Sequence, residues 1–167
     1  TGMNYNAQQA GGLTDFMFEI DPRSSFRERN WFQVNWNMLA LHYDFEISSK
    51  STFNIRTFGM ISDRKSLGFL GKINQADLGG NRELILGEFN NRGIEARFLT
   101  RYKFNLKNTE VKSAFLTGIR AYSGTTSSLQ GKASSGRDAN YSYLNPSDLE
   151  TSDFSFPSNN LAFFMEN

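Results

Sequence analysis

The side chains able to do chemistry are few and poorly grouped. The sequence has no cysteine, which removes disulfides, thiolate metal sites and cysteine nucleophiles together. His42 is its only histidine. A lone histidine two residues from Asp44 reads as a surface or lumen residue before it reads as a metal ligand. Asp138, Asp148, Glu150 and Asp153 fall in one segment and could hold a cation through carboxylate oxygens, but their spacing fits no calcium loop. Gly71-Lys72 is followed by Ile73, and the first glycine of a phosphate-binding loop is missing. No Ser/His/Asp grouping carries a local signature. Catalytic and metal sites are therefore not expected, and the chain does not read as an enzyme.

Composition narrows the classes further. A formal charge of +1 gives no strong field to attract nucleic acid or anionic lipid. Phenylalanine is frequent, with 16 residues, and proline is scarce, with 3; that balance favours strands. No apolar run reaches the roughly 18 residues of a transmembrane helix. The mean hydropathy of −0.50 does not bar a membrane protein. Transmembrane strands alternate lipid-facing with lumen-facing residues, so hydropathy averages out along each one.

Alternation is the main signal. Ile94, Ala96, Phe98, Thr100, Tyr102 and Phe104 form one face, and Glu95, Arg97, Leu99, Arg101 and Lys103 the other. A strand of about eleven residues suits a tilted bilayer crossing. Phe98, Tyr102 and Phe104 would face lipid, and Arg97 and Arg101 a wet lumen. A polar turn over 105–110 leads to a second segment. There Phe115, Thr117, Ile119 and Ala121 oppose Leu116, Gly118, Arg120 and Tyr122, which completes an antiparallel hairpin. An earlier pair has the same form. Leu39, Leu41, Tyr43, Phe45 and Ile47 oppose His42, Asp44 and Glu46. After a turn near Ser48–Ser51, Phe53, Ile55, Thr57 and Gly59 oppose Asn54 and Arg56. Upstream of Leu39 the apolar phase reverses to Phe32, Val34, Trp36 and Met38. A β-bulge, or emergence from the membrane, would explain that slip. A fifth strand begins near Leu161.

The connections alternate in length. Two are short, near Ser48 and Lys107; three are long, over 1–30, 62–91 and 123–160. The Ser/Gly/Thr-rich stretch 123–136 reads as mobile. Long loops on one side and short turns on the other mark outer-membrane barrels. The expected fold is therefore all-β, an antiparallel transmembrane β-barrel segment. It has about four complete strands and a partial fifth, with long extracellular loops and short periplasmic turns. Five strands cannot close such a barrel, and an open edge in lipid leaves backbone groups unpaired. The sequence carries no secretory signal, and residues 1–167 are expected to be a stretch of a longer chain.

Several short motifs carry a family likeness. They are Ala10-Gly11-Gly12-Leu13-Thr14-Asp15, Asp21-Pro22-Arg23, Arg29-Asn30-Trp31-Phe32, Phe53-Asn54-Ile55 and Arg92-Gly93-Ile94-Glu95. In order and spacing they resemble the TonB-dependent outer-membrane receptors of the ferric dicitrate type, over about Gln8 to Asn167. The resemblance implies a 22-stranded barrel of the large, plugged kind. Neither the plug domain nor the TonB-contacting N-terminal part belongs to this stretch. It implies uptake of an anionic iron chelate with energy coupled through TonB, so the expected partners are a ferric chelate, the TonB complex and outer-membrane lipid. It requires no resident cofactor and no nucleic acid. Arginines grip carboxylates bidentately, and Arg64 matches a ligand-contacting arginine of the family by position. The family's second arginine falls near Gly87 here, and its third near Ser152. Arg82 and Arg137 are the nearest replacements, with Tyr5, Phe69 and Tyr141 as aromatic company. Each arginine also has a plain reading as a solvated loop residue. Two other functions fit an all-β chain: a soluble ligand- or carbohydrate-binding module, and a passive outer-membrane barrel. An upstream plug domain would separate the receptor from both.

Overall fold

The computed structural model describes all residues except 9–11, 73 and 150. Part of the Ala10–Asp15 motif, Ile73 and Glu150 of the acidic group thus lie outside the described residues. The chain folds into β1 (Gly2–Asn6), α1 (Asp15–Ile20), β2 (Trp31–Ser48), β3 (Ser51–Gly68), β4 (Arg82–Leu106), β5 (Thr109–Ala133) and β6 (Ser152–Glu166). The strands make one six-stranded sheet in the order β1-β2-β3-β4-β5-β6. All neighbours are consecutive in sequence, so the fold is an all-β antiparallel meander with open edges at β1 and β6.

The strands arise where alternation is cleanest, but they run further than alternation alone predicts. β3 continues through Ser62–Gly68, and β4 begins at Arg82, well before Ile94. The Ser/Gly/Thr-rich stretch is strand up to Ala133, not a mobile loop. Ladder hydrogen bonds join backbones, so polar side chains extend a sheet once neighbouring strands hold the register. The long connections therefore shrink to residues 7–30, 69–81 and 134–151. Ahead of the first, five residues of the expected 1–30 loop pair as β1 with β2 in the register Gly2↔Asn35 to Asn6↔Trp31. Helix α1 is capped by Thr14, whose hydroxyl accepts from the Met17 amide at 3.3 Å. β6 starts at Ser152, ahead of the expected Leu161. β2 is a single strand through the phase change at Met38–Leu39.

Both short turns follow from local chemistry. Between β4 and β5, Lys107 and Asn108 take φ of 47° and 66°, the left-handed pair that closes a two-residue hairpin. Between β2 and β3, the Ser48 hydroxyl accepts from the amides of Lys50 and Ser51 at 3.2 and 3.1 Å.

The chain divides into two compact units, one of residues 1–37, 62–89 and 126–156, the other of residues 38–61, 90–125 and 157–167. The first holds the core: Leu67, Leu84 and Ala133 are buried, with Trp31, Tyr141 and Tyr143 packed on them. Alternation separates its two faces. Trp31, Lys65 and Leu67 lie on the core side, and Lys65 stacks over the Tyr141 ring. Residues between them in register, including Phe32 and Arg64, lie on the other side.

The second unit has no buried apolar side chain among the described residues. Its apolar rows stand open: Leu41 is 61% exposed on β2 and Phe163 74% on β6, with Tyr102, Phe104 and Leu106 exposed on β4. Some side chains of the polar rows pair. The Asn54 amide donates to Asp44 at 2.5 Å and also meets His42. Arg97 pairs with Glu95 at 2.7 Å and lies over the Phe164 ring. Phe164 in turn covers Gly118, where a Cβ would stand 2.3 Å from its ring. Phe58 covers Gly93 in the same way, at 2.6 Å.

Leu84, 0% exposed, is the test of the first unit's core. Leu84→Ala should lower unfolding stability by roughly 3 kcal/mol through lost burial and a residual cavity. Leu78→Ala, at a site 90% exposed, should change it by less than about 0.5 kcal/mol. Denaturant melts of the two variants give the comparison.

Candidate ligand-binding site

Arginine dominates the chemistry of the first unit, largely through residues that carried no functional signal in the sequence. Arg27, Arg29 and Arg82 are all buried. A guanidinium stays charged and carries five donors, so burial demands acceptors for them. Loop carbonyls supply most. Arg27 donates to Gly71 and Lys72 at 2.8 and 2.6 Å and to Gln75 at 3.0 Å. Its guanidinium also sits 5.0 Å over the Phe69 ring. Arg29 grips the Asp77 carboxylate with two bonds, at 2.8 and 2.5 Å. It reaches Gly80 at 3.1 Å and Ser135 at 2.6 Å as well. Arg82 donates to the carbonyls of Ser134, Asp138 and Arg29 at 2.8, 2.7 and 3.3 Å.

The pairing sets the titration of these groups. The hydrogen bond from Arg29 holds the Asp77 carboxyl below its ordinary value, against the opposing effect of burial. Burial lowers Arg82, and the nearby Asp138 works against that shift. Burial raises Tyr141 and Tyr143.

The three candidate arginines therefore stand in different situations. Arg82 is enclosed, and its donors hold loop backbone together, so an incoming anion would have to break those contacts. Arg137 is open, with its side chain 79% exposed and only a loose pair to Glu28 at 3.6 Å. Its carbonyl accepts from the Trp31 indole at 2.7 Å. It borders a cleft of about 510 Å³, together with Phe26, Arg29, Asp77 and Leu78. Arg64 is exposed and has no hydrogen-bond or ion-pair partner among the described residues. Its chain neighbours Asp63 and Lys65 both use the core side, where Asp63 accepts from Asn35 at 3.0 Å. Arg64 thus projects from the opposite face, and the three arginines do not converge.

The aromatic residues divide in the same way. Phe69 serves Arg27, while Tyr141 lies under Lys65 and donates to Asn4 at 2.8 Å. Tyr5 packs on Phe32 with ring centroids 5.7 Å apart, and Phe32 belongs to the Arg64 side. Asp138, from the acidic group, is 3.5 Å from Arg82.

Fold and site together define an all-β antiparallel protein whose long connections are fastened by buried arginines. In comparisons with protein-family models, curated proteins and solved structures, nothing matches this chain.

Asp77→Asn should cost roughly 3 kcal/mol, because it leaves Arg29 buried without its counter-charge. The loss should appear as faster proteolysis of residues 69–81 at neutral pH. In the unsubstituted protein the Asp77 contribution is complete above the ordinary carboxylate value of 3.8. It declines as pH falls below that through the depressed native value. Amide exchange at Gly79, which donates to Asp77 at 3.0 Å, should quicken over that window. In Asp77→Asn it should show no such dependence.

Proposed function

We propose that this chain is a stretch of a bacterial outer-membrane β-barrel, of the TonB-dependent receptor class. It takes up an iron chelate, ferric dicitrate or another ferric siderophore, and breaks no bond. One observation carries the reading: the second unit keeps its apolar rows open on β2, β4 and β6, while polar side chains such as Asn54 with Asp44 and Arg97 with Glu95 pair on the alternate rows. Monomeric soluble proteins rarely leave contiguous apolar surface of this kind in water. Each Leu or Phe moved from water into hydrocarbon gains about 1.5–3 kcal/mol, so a bilayer is the solvent that suits those rows. The short turns and long arginine-fastened connections agree with a barrel that keeps its binding chemistry at one end. In such a barrel the open edges of β1 and β6 would pair with further strands.

On this reading Arg64 carries the chelate contact. It is the unpartnered candidate, and it projects from a strand, which positions a side chain better than a loop does. Removing a charge-assisted hydrogen bond costs about 1.5–3 kcal/mol, or one to two decades in affinity. Arg64→Ala should lose that much chelate binding in the full-length receptor. Arg64→Lys should recover part of it, because lysine cannot fork onto a carboxylate. Uptake of radioactive iron chelate by whole cells should also stop when TonB is deleted. Uptake indifferent to TonB would make the chain a passive barrel, and binding indifferent to Arg64→Ala would remove the site.

A further inference from the structure

The polar side of the second unit holds one group of convergent donor atoms. His42 and Asp44 share a face of β2, with Nε2 of the imidazole 3.3 Å from Oδ2 of the carboxylate. Asn54 of β3 completes the group: its amide donates to Asp44 Oδ1 at 2.5 Å and also to His42 Nε2. Lone pairs from two side chains thus meet at one point. An amide N–H only donates, so the imidazole nitrogen facing it offers its lone pair, the form in which histidine binds metals. Asn54 is 9% exposed, and its Oδ1 is buried with no hydrogen-bond partner among the described residues. A buried acceptor left unanswered costs free energy. A half-turn of the amide about its last bond brings Oδ1 to the place that Nδ2 holds. An imidazole nitrogen, a carboxylate oxygen and an amide oxygen then face one another, and a cation answers all three.

We propose that His42, Asp44 and Asn54 form a site for a divalent transition-metal ion of the zinc, copper and nickel class. Metal–ligand arms of about 2.1 Å span the 3.3 Å between Nε2 and Oδ2 with an angle of about 100° at the ion, near the tetrahedral value. An imidazole nitrogen selects these ions over calcium and magnesium, which take oxygen donors. The His42 and Asp44 side chains are 49% and 61% exposed, so an ion has an entry path and water can complete its coordination. The bound ion would tie β2 to β3. From the sequence, His42 has Asp44 as its one same-face companion; the third donor lies 12 residues on from the histidine and arrives through strand pairing. The site needs only that pairing within the second unit. It therefore stands apart from the receptor reading and from whichever chelate is carried.

The test is isothermal titration of the full-length protein in detergent with Zn²⁺, with Cu²⁺ as the spectroscopic probe. Zinc affinity should fall at least about 10-fold in His42→Ala and in Asp44→Asn, a loss already typical of removing an outer-shell partner of a metal site. Asn54→Asp, which puts a carboxylate where the amide stands, should bind zinc more tightly than the unsubstituted protein. A merely structural role for Asn54 would not produce that gain. Copper bound in place of zinc should show nitrogen hyperfine coupling in its electron paramagnetic resonance spectrum, and His42→Ala should lose it. Calcium at the same concentration should leave zinc in place. Glu110→Gln, which removes an equal charge at the start of β5, should change nothing. Zinc binding that is the same in every variant overturns the site. Copper without a nitrogen coupling that depends on His42, or zinc displaced by calcium, overturns it as well.

Discussion

A buried guanidinium must have its donors answered, and the first unit is built around that demand. Arg27 and Arg29 stand just ahead of β2, and Arg82 is the first residue of β4. Each is therefore fixed at the end of a strand and reaches sideways into a long connection. The acceptors are mostly backbone carbonyls, at Gly71, Lys72, Gln75, Gly80, Ser134, Ser135 and Asp138. Two segments far apart in sequence are thus shaped around three side chains. Loop carbonyls that would otherwise face water have defined partners. The core of Leu67, Leu84 and Ala133 is small, and Trp31, Tyr141 and Tyr143 pack against it.

The second unit follows the opposite rule. Some of its polar side chains pair, Asn54 with Asp44 across strands and Arg97 with Glu95 along one, and no apolar side chain is buried among its described residues. The cation–π contact of Arg97 with Phe164, and the rings over Gly93 and Gly118, make the polar side a packed surface as well. A sheet with one polar side and one open apolar side suits an environment that is wet on one side and oily on the other. That asymmetry is the physical content of the barrel reading.

The two units were unequally legible in the sequence. Alternation from Ile94 to Phe104 and from Leu39 to Ile47 marks β4 and β2, because a half-exposed strand writes its faces directly into its residue types. The Lys107–Asn108 turn is legible for the same local reason. β1 is not, because five residues with two asparagines become a strand only through pairing with β2. The polar extensions of β3, β4 and β5 are hidden likewise, since their order comes from neighbouring backbone. Arg64's separation from Arg82 follows from strand parity once β3 is known to reach Gly68. The burial of Arg82 could not be read, because its partners are carbonyls, which every residue has. Arg29 and Asp77 lie 48 residues apart, and nothing at either position announces the pair.

On the barrel reading, the open rows of the second unit meet hydrocarbon. Nitroxide labels at positions 97, 98, 101, 102 and 104, one at a time in the full-length protein in liposomes, test it most directly. Accessibility to oxygen, which concentrates in lipid, and to a water-soluble nickel chelate should alternate along β4. Labels at Phe98, Tyr102 and Phe104 should favour oxygen, and labels at Arg97 and Arg101 the nickel chelate. Water exposure at Phe98 and Tyr102 with lipid exposure at Arg97 and Arg101, or no alternation at all, would contradict the account.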